Sequence, residues 1–501
     1  MLEMLSKRML VLAPIFGLFV AVVCNRNGLS FEASCCAWVA IVCALWWIFE
    51  CLHIAIVGLL PFVAFPLLGV IDHKTVAQSY GHTMILLLMG GFFLSAAMEK
   101  SGAHRRIALN MVRAVGGEGG RRMVLGFMLA TALLSMWISN AATTLMMLPI
   151  AMAVLHNSDN PSLRAPLLLG IAYAASVGGM ATPIGTPPNV VFMGMIEETF
   201  QVEVSFAHWM MVGIPIVLLL LPVIWLWVTR KIKEAGPIRM PEVGHWRPSE
   251  VRVLIVFAAT ALLWTFRSAP WGGWSGLLPD DGEQVGDTTV ALGACLFLFL
   301  CPSGETPGAA DADESSSPSM NDIAQTDKQN RGNNSPGAFA FAAGRTRDTL
   351  LDWQSASKIP WGILIMFGGG LALAAGFERS GLSRAIGNQL AVFESAPPWL
   401  VILSVCLLVT FLTEITSSTA TATLMLPILG ELALATNMTP ESVMVPGTIS
   451  ASCAFMLPVA TAPNVIVFGA GGIRTDEMAR NGLMLNFYAA AVITLVCLWL
   501  L

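Results

Sequence analysis

The chain has 501 residues, 55% of them hydrophobic and only 12% charged, with a net charge of −5 and a mean hydropathy of +0.71. Soluble domains carry about 25% charged residues, so the composition excludes a soluble globular enzyme. With apolar runs of span length, it predicts an all-α polytopic membrane protein. No basic tract suggests nucleic acid as a partner, and there is no room for a soluble catalytic domain. The ten cysteines are scattered without metal-ligand spacing and read as small buried apolar residues.

At the N-terminus, Lys7-Arg8 precedes an apolar run that resembles a secretory leader, but no small-x-small cleavage site follows, so it reads as the first span. Spans are predicted at 9–25, 34–51, 54–72, 83–99, 166–196, 207–229, 251–267, 287–301, 359–377, 441–472 and 482–501, about 11 in all. Two more apolar stretches, 123–155 and 398–435, carry polar centres and read as re-entrant helical hairpins. Non-helical backbone at membrane depth is tolerated only when buried in protein or lining a cavity. Residues 302–348, rich in Ser, Gly, Ala, Asp and Asn, read as a disordered cytoplasmic linker.

Lysine and arginine set the orientation. With the N-terminus cytoplasmic, 22 of the 27 fall inside, and only Arg26, Lys74, Arg267, Arg379 and Arg384 fall outside. The first hairpin then enters from the cytoplasm and the second from outside, which makes the halves inverted repeats, as alternating access requires. The expected location is the bacterial inner membrane. Arg105-Arg106 and Arg121-Arg122 flank an amphipathic stretch suited to anionic membrane lipid.

The two halves match in three blocks. Ile138-Ser139-Asn140-Ala141-Ala142-Thr143, running to Leu148-Pro149-Ile150, pairs with Thr416-Ser417-Ser418-Thr419-Ala420-Thr421, running to Leu426-Pro427-Ile428. Downstream, Thr186-Pro187-Pro188-Asn189 pairs with Thr461-Ala462-Pro463-Asn464, and upstream Glu99-Lys100-Ser101-Gly102 pairs with Glu378-Arg379-Ser380-Gly381. The offsets are 275 to 279 residues. One Ser/Thr knot alone would be ordinary helix packing. Two at a common offset, each followed by a Pro-Asn break, point to a transporter's binding site.

Such a knot offers two resources. Hydroxyl, amide and freed carbonyl oxygens coordinate a dehydrated monovalent cation, while the N–H groups at the following half-helix start attract an anion. Glu414, just ahead of the second tip, is either a proton-coupling group or a hydrogen-bonded brace. Glu50 and His53 are spaced to pair or to serve interfacial packing.

These residues, together with Trp46-Trp47-Ile48-Phe49-Glu50 and Thr413-Glu414, resemble the divalent anion/sodium symporter family, which includes the bacterial INDY dicarboxylate transporters. The resemblance covers nearly the whole chain. It implies one sodium site at Ser135, Ser139, Asn140 and Gly185, and a second at Thr413, Thr416, Ser418 and Ala460. The anion would lie against Asn140, Ala141, Thr186, Pro187, Ser418, Thr419, Thr461 and Ala462. It also implies a homodimer working as an elevator, with 1–121 and 251–397 as scaffold and 122–250 and 398–501 moving. Ala141 lacks the hydroxyl of the family's Ser-Asn-Thr motif, Ser418 replaces its Asn, Ala462 stands where a Pro is usual, and His53 where the early Trp-Trp motif has Pro. The expected activity is sodium-coupled uptake of a dicarboxylate such as succinate, malate or fumarate. Symport of sulfate or another divalent oxyanion, and sodium-independent dicarboxylate exchange, stay open. An ion-only antiporter would place paired acidic residues at the site, where only Glu414 is near.

Overall fold

A computed structural model describes residues 2–116, 119–156, 158, 160–232, 245–267, 273–279, 284–305 and 348–501. Most of the linker predicted at 302–348 lies outside the described residues. Within them the chain is helical, and ten helices are long and apolar enough to cross a membrane. The protein is an integral, multi-pass membrane protein.

In chain order the helices of the first half are α1 Leu2–Arg26, α2 Phe31–Ile48, α3 Ile54–Gly58, α4 Leu60–Leu67, α5 His73–Tyr80, α6 Thr83–Ser101, α7 Ala103–Gly116, α8 Gly120–Ser135, α9 Asn140–His156, α10 Arg164–Gly178, α11 Pro187–Phe200 and α12 Phe206–Thr229. The second half holds α13 Pro248–Thr265, α14 Asp287–Leu300, α15 Trp353–Ala356, α16 Trp361–Ser380, α17 Leu382–Leu390, α18 Pro398–Ile415, α19 Ser418–Ala435, α20 Pro440–Ser450, α21 Ala462–Gly469 and α22 Thr475–Leu500. Every stretch read as a span contains helix, and 166–196 and 441–472 are each broken in the middle.

Local chemistry sets these boundaries. Ser30 caps α2 by accepting from the Ala33 N–H at 3.1 Å. The Nδ1 atoms of His53 and His82 accept from Ala55 and Met84 N–H at 3.3 and 3.2 Å, so both histidines serve as helix caps. The repeated Ser-Gly blocks fold alike. Gly102 and Gly381 close α6 and α16 in the left-handed region, at φ 74° and 79°. Ser101 and Ser380 then accept from the next helix's first N–H, at 3.3 and 3.4 Å.

Packing falls into two hydrophobic cores. The smaller joins α2–α5, α16 and α17 around Phe65, Trp47 and Leu373. Its helices approach closely: a Cβ on Gly369 of α16 would stand 2.8 Å from Gly58 Cα of α3. The larger core holds both hairpins and both broken helices, with α8 on α10, α19 on α20, and α18 on α22. The hairpin tips therefore rest on broken helices.

Candidate functional site

Four interruptions of helix converge. The first hairpin leaves helix over 136–139, and the second over 416–417. Between α10 and α11, a short 3₁₀ turn at Gly179–Ala181 leads to extended Thr186, with φ −145° and ψ 140°. Between α20 and α21, Thr461 has nearly the same conformation, φ −138° and ψ 152°. The prolines that follow both threonines need no intrahelical N–H partner in a helix's first turn, so helix restarts there.

The paired asparagines explain why the breaks hold their shape. Asn189 Nδ2 donates to the Gly179 and Thr182 carbonyls at 3.0 and 2.8 Å. Asn464 Nδ2 donates to the Ala454 and Leu457 carbonyls at 3.0 and 3.1 Å, the same contacts 275 residues on. Each staples the carbonyls that its unwound segment frees.

A cavity of about 910 Å³ opens between the four breaks. Ser139, Asn140 and Ala141 line it from the first tip, and Thr416, Ser417, Ser418 and Thr419 from the second. Thr186, Pro187, Ala460, Thr461 and Ala462 complete that part of the wall. All eight residues predicted to touch the anion are thus brought to one surface. Ser135, Gly185 and Thr413 are buried behind it.

Of the first predicted cation set, Ser135, Asn140 and Gly185 meet, while Ser139 turns its Oγ to the Ala142 N–H at 3.3 Å. The end of the Asn140 amide facing α10 lies 2.5 Å from Ser135 Oγ, 3.0 Å from the Ala175 carbonyl and 3.2 Å from the Gly185 carbonyl. With NH₂ there, its two hydrogens can serve two of these three oxygens. With its own oxygen there, four oxygens converge, a donor set suited to a small dehydrated cation. A Cβ on Gly179 would stand 2.5 Å from Asn140 Oδ1, so only glycine leaves this cradle open. The residues present therefore fit a sodium ion. The Ala175 carbonyl was not legible in the sequence, because main-chain ligands carry no residue-type signal.

The second set is tied up differently. Thr413 donates to the Val409 carbonyl at 2.8 Å and Thr416 to the Leu412 carbonyl at 2.9 Å, both carbonyls belonging to α18. Thr416 also contacts the Thr421 hydroxyl. Thr416, Ser418 and Ala460 line the cavity, whereas Thr413 is buried.

Glu414 is a brace in this structure. Its carboxylate accepts from Met456 and Leu457 N–H, both at 2.9 Å, and from Asn486 Nδ2 at 2.7 Å. Asn486 Oδ1 accepts from Phe455 N–H at 3.2 Å, so α18 and α22 together hold the start of the second unwound segment. Tyr173 ties in the other half by donating to the Phe455 carbonyl at 2.8 Å. Asn486 went unread, though an asparagine inside an otherwise apolar terminal span was the available signal. His53 caps α3, while Glu50 lines the cavity and its carbonyl accepts from Ser6.

Residues 44–444 match the citrate transporter family, a span that takes in both hairpins and the first broken helix. The chain belongs to the citrate transporter family. It is a membrane transporter and not an enzyme. Over 98% of its length it is 35% identical to the sodium-dependent dicarboxylate transporter SdcS of Staphylococcus saprophyticus, covering 90% of that protein. It is 34% identical to SdcS of Staphylococcus aureus strain USA300, over 97% of this chain and 89% of that one. Among solved structures it resembles the Alcanivorax borkumensis YdaH transporter, with a TM-score of 0.53 at 14% identity over 84% of this chain and 86% of that one. At that identity the likeness concerns the fold alone.

Proposed function

We propose that this family member is a secondary active transporter coupling sodium entry to uptake of a dicarboxylate such as succinate, malate or fumarate. The observation that carries the reading is the shared cavity, which sets the oxygen cradle around Asn140 beside hydroxyls and helix starts from both halves. A cation in the cradle raises the local positive potential where a carboxylate docks, and the docked anion favours the cation in return. The names of the Staphylococcus relatives support both partners.

The finer architecture belongs to the same proposal. The two halves are inverted repeats in a bacterial inner membrane, with the N-terminus cytoplasmic. Residues 122–250 and 398–501 move as an elevator against a scaffold of 1–121 and 251–397, in a homodimer. Support comes from the Tyr173–Phe455 bond linking the two hairpin-bearing segments. Ser6, Glu50 and Pro360 also line the cavity, and the charge reading puts them on the cytoplasmic side, so this conformation is inward-facing.

The test is uptake of labelled succinate into proteoliposomes under an inward sodium gradient, then with potassium or choline in place of sodium. Uptake that needs sodium and falls with Asn140→Ala is the expected result. Uptake indifferent to sodium but driven by internal dicarboxylate would make the protein an exchanger. Absence of succinate uptake by folded protein would overturn the dicarboxylate reading and bring sulfate forward.

A further inference from the structure

Two serines in the cavity wall have no use in the scheme so far. Ser176 closes the first half of one broken helix, and Ser452 lies just past the first half of the other. Their exposures are only 1% and 3%, yet both line the cavity, and neither Oγ has a hydrogen-bond partner. Hydroxyls in this protein's helices usually donate back to the carbonyl four residues earlier, as Thr131, Thr144, Thr423 and Thr448 do. Leaving a buried hydroxyl unpaired costs about 1–3 kcal/mol, so a ligand that pairs it regains that cost. Thr143 also lacks a partner but does not line the cavity, so a substrate would not reach it.

The tips and helix starts already supply partners for carboxylates. Apolar wall would suit the methylenes of succinate; two unpaired hydroxyls suit a polar substituent between the carboxylates. We propose that Ser176 and Ser452 form a subsite that reads a hydroxyl on the substrate's carbon chain, so that a hydroxy-dicarboxylate such as malate is preferred over succinate. The inference rests on the dicarboxylate reading above. A site built to hydrogen-bond a hydroxyl discriminates against the analogue lacking it, because its own polar groups then stay unpaired.

The experiment is competition against labelled succinate uptake in proteoliposomes at saturating sodium, with unlabelled malate, succinate and fumarate. In the wild type, malate should compete more tightly than succinate or fumarate by about tenfold, the worth of one such hydrogen bond. Ser176→Ala and Ser452→Ala should each erode that advantage and leave succinate within about twofold of wild type, since its carboxylate contacts are untouched. Equal inhibition by malate and succinate in the wild type would overturn the subsite while leaving dicarboxylate transport standing. So would variants that shift the sodium half-saturation without changing the malate-to-succinate ratio, which would make the serines cation ligands. A folded wild type that takes up no dicarboxylate overturns both readings together.

Discussion

Replacing Glu414 separates a brace from a proton carrier. In Glu414→Gln an amide oxygen placed at Oε1 keeps Met456 N–H and Asn486 Nδ2, while the new NH₂ faces the Leu457 N–H. One donor among the three is then lost in a site where Glu414 is only 3% exposed. A buried donor left unpaired costs about 1–3 kcal/mol, or roughly fivefold to 150-fold in an equilibrium. Glu414→Ala strips all three donors, and if they stay dry the loss is about 3–9 kcal/mol on the same scale, comparable to a whole domain's stability. The readouts are thermal unfolding in detergent and the sodium dependence of uptake by the reconstituted protein. Gln should fold with a lowered melting temperature and a raised sodium half-saturation, because the loosened segment carries the Ala460 carbonyl; Ala should scarcely accumulate. A Gln variant with wild-type melting temperature and sodium dependence, but with pH-dependent transport abolished, would refute the brace and make Glu414 a proton coupler.

Gly179→Ala drives a Cβ to 2.5 Å from Asn140 Oδ1, and sodium-dependent thermal stabilisation should weaken at least about tenfold while the protein still folds. Unchanged sodium stabilisation would dismiss the cradle. Arg106 and Glu250 pair at 2.7 Å with side chains 11% and 5% exposed, so Glu250→Gln, which keeps an acceptor but removes the charge facing the guanidinium, should cost about 1–3 kcal/mol in denaturation. A fully stable variant would mean water reaches Arg106. Asp352 pairs with Lys100 at 2.7 Å and caps α15. Partial burial pushes its pKa up, but the Lys100 ammonium and the Ser355 N–H outweigh this and hold it below the ordinary 3.8. A depressed carboxylate stabilises above its unfolded pKa and loses that contribution as pH falls through the folded value. Asp352→Asn should therefore lower the melting temperature at pH 7, and the deficit should shrink as pH falls below 3.8 through the folded value; a deficit that does not shrink on acidification would contradict the ion pair.

Much of the site was legible because its chemistry is written in residue types. A Ser-Asn or Ser-Ser pair inside an apolar run, with Pro-Asn downstream, marks broken helix at membrane depth, and duplication supplied the register. The cavity wall accordingly holds Asn140, Ala141, Thr186, Pro187, Ser418, Thr419, Thr461 and Ala462 together. Asn189 and Asn464 were quoted as breaks, but their work as staples of carbonyls seven and ten residues away depends on the path of the unwound chain. Glu414 was open between two roles until its three donors were placed.

By itself the sequence determined the membrane class, the order of spans and hairpins, and the repeat, since hydropathy, Pro and Gly act over a few residues and need no distant partner. Tertiary structure alone decided which oxygens meet: the Ala175 carbonyl beside Asn140, Asn486 beside Glu414, and Tyr173 against Phe455. Those contacts join residues from 35 to 282 positions apart, and two of them end on main-chain carbonyls, which every residue has and only folding can aim.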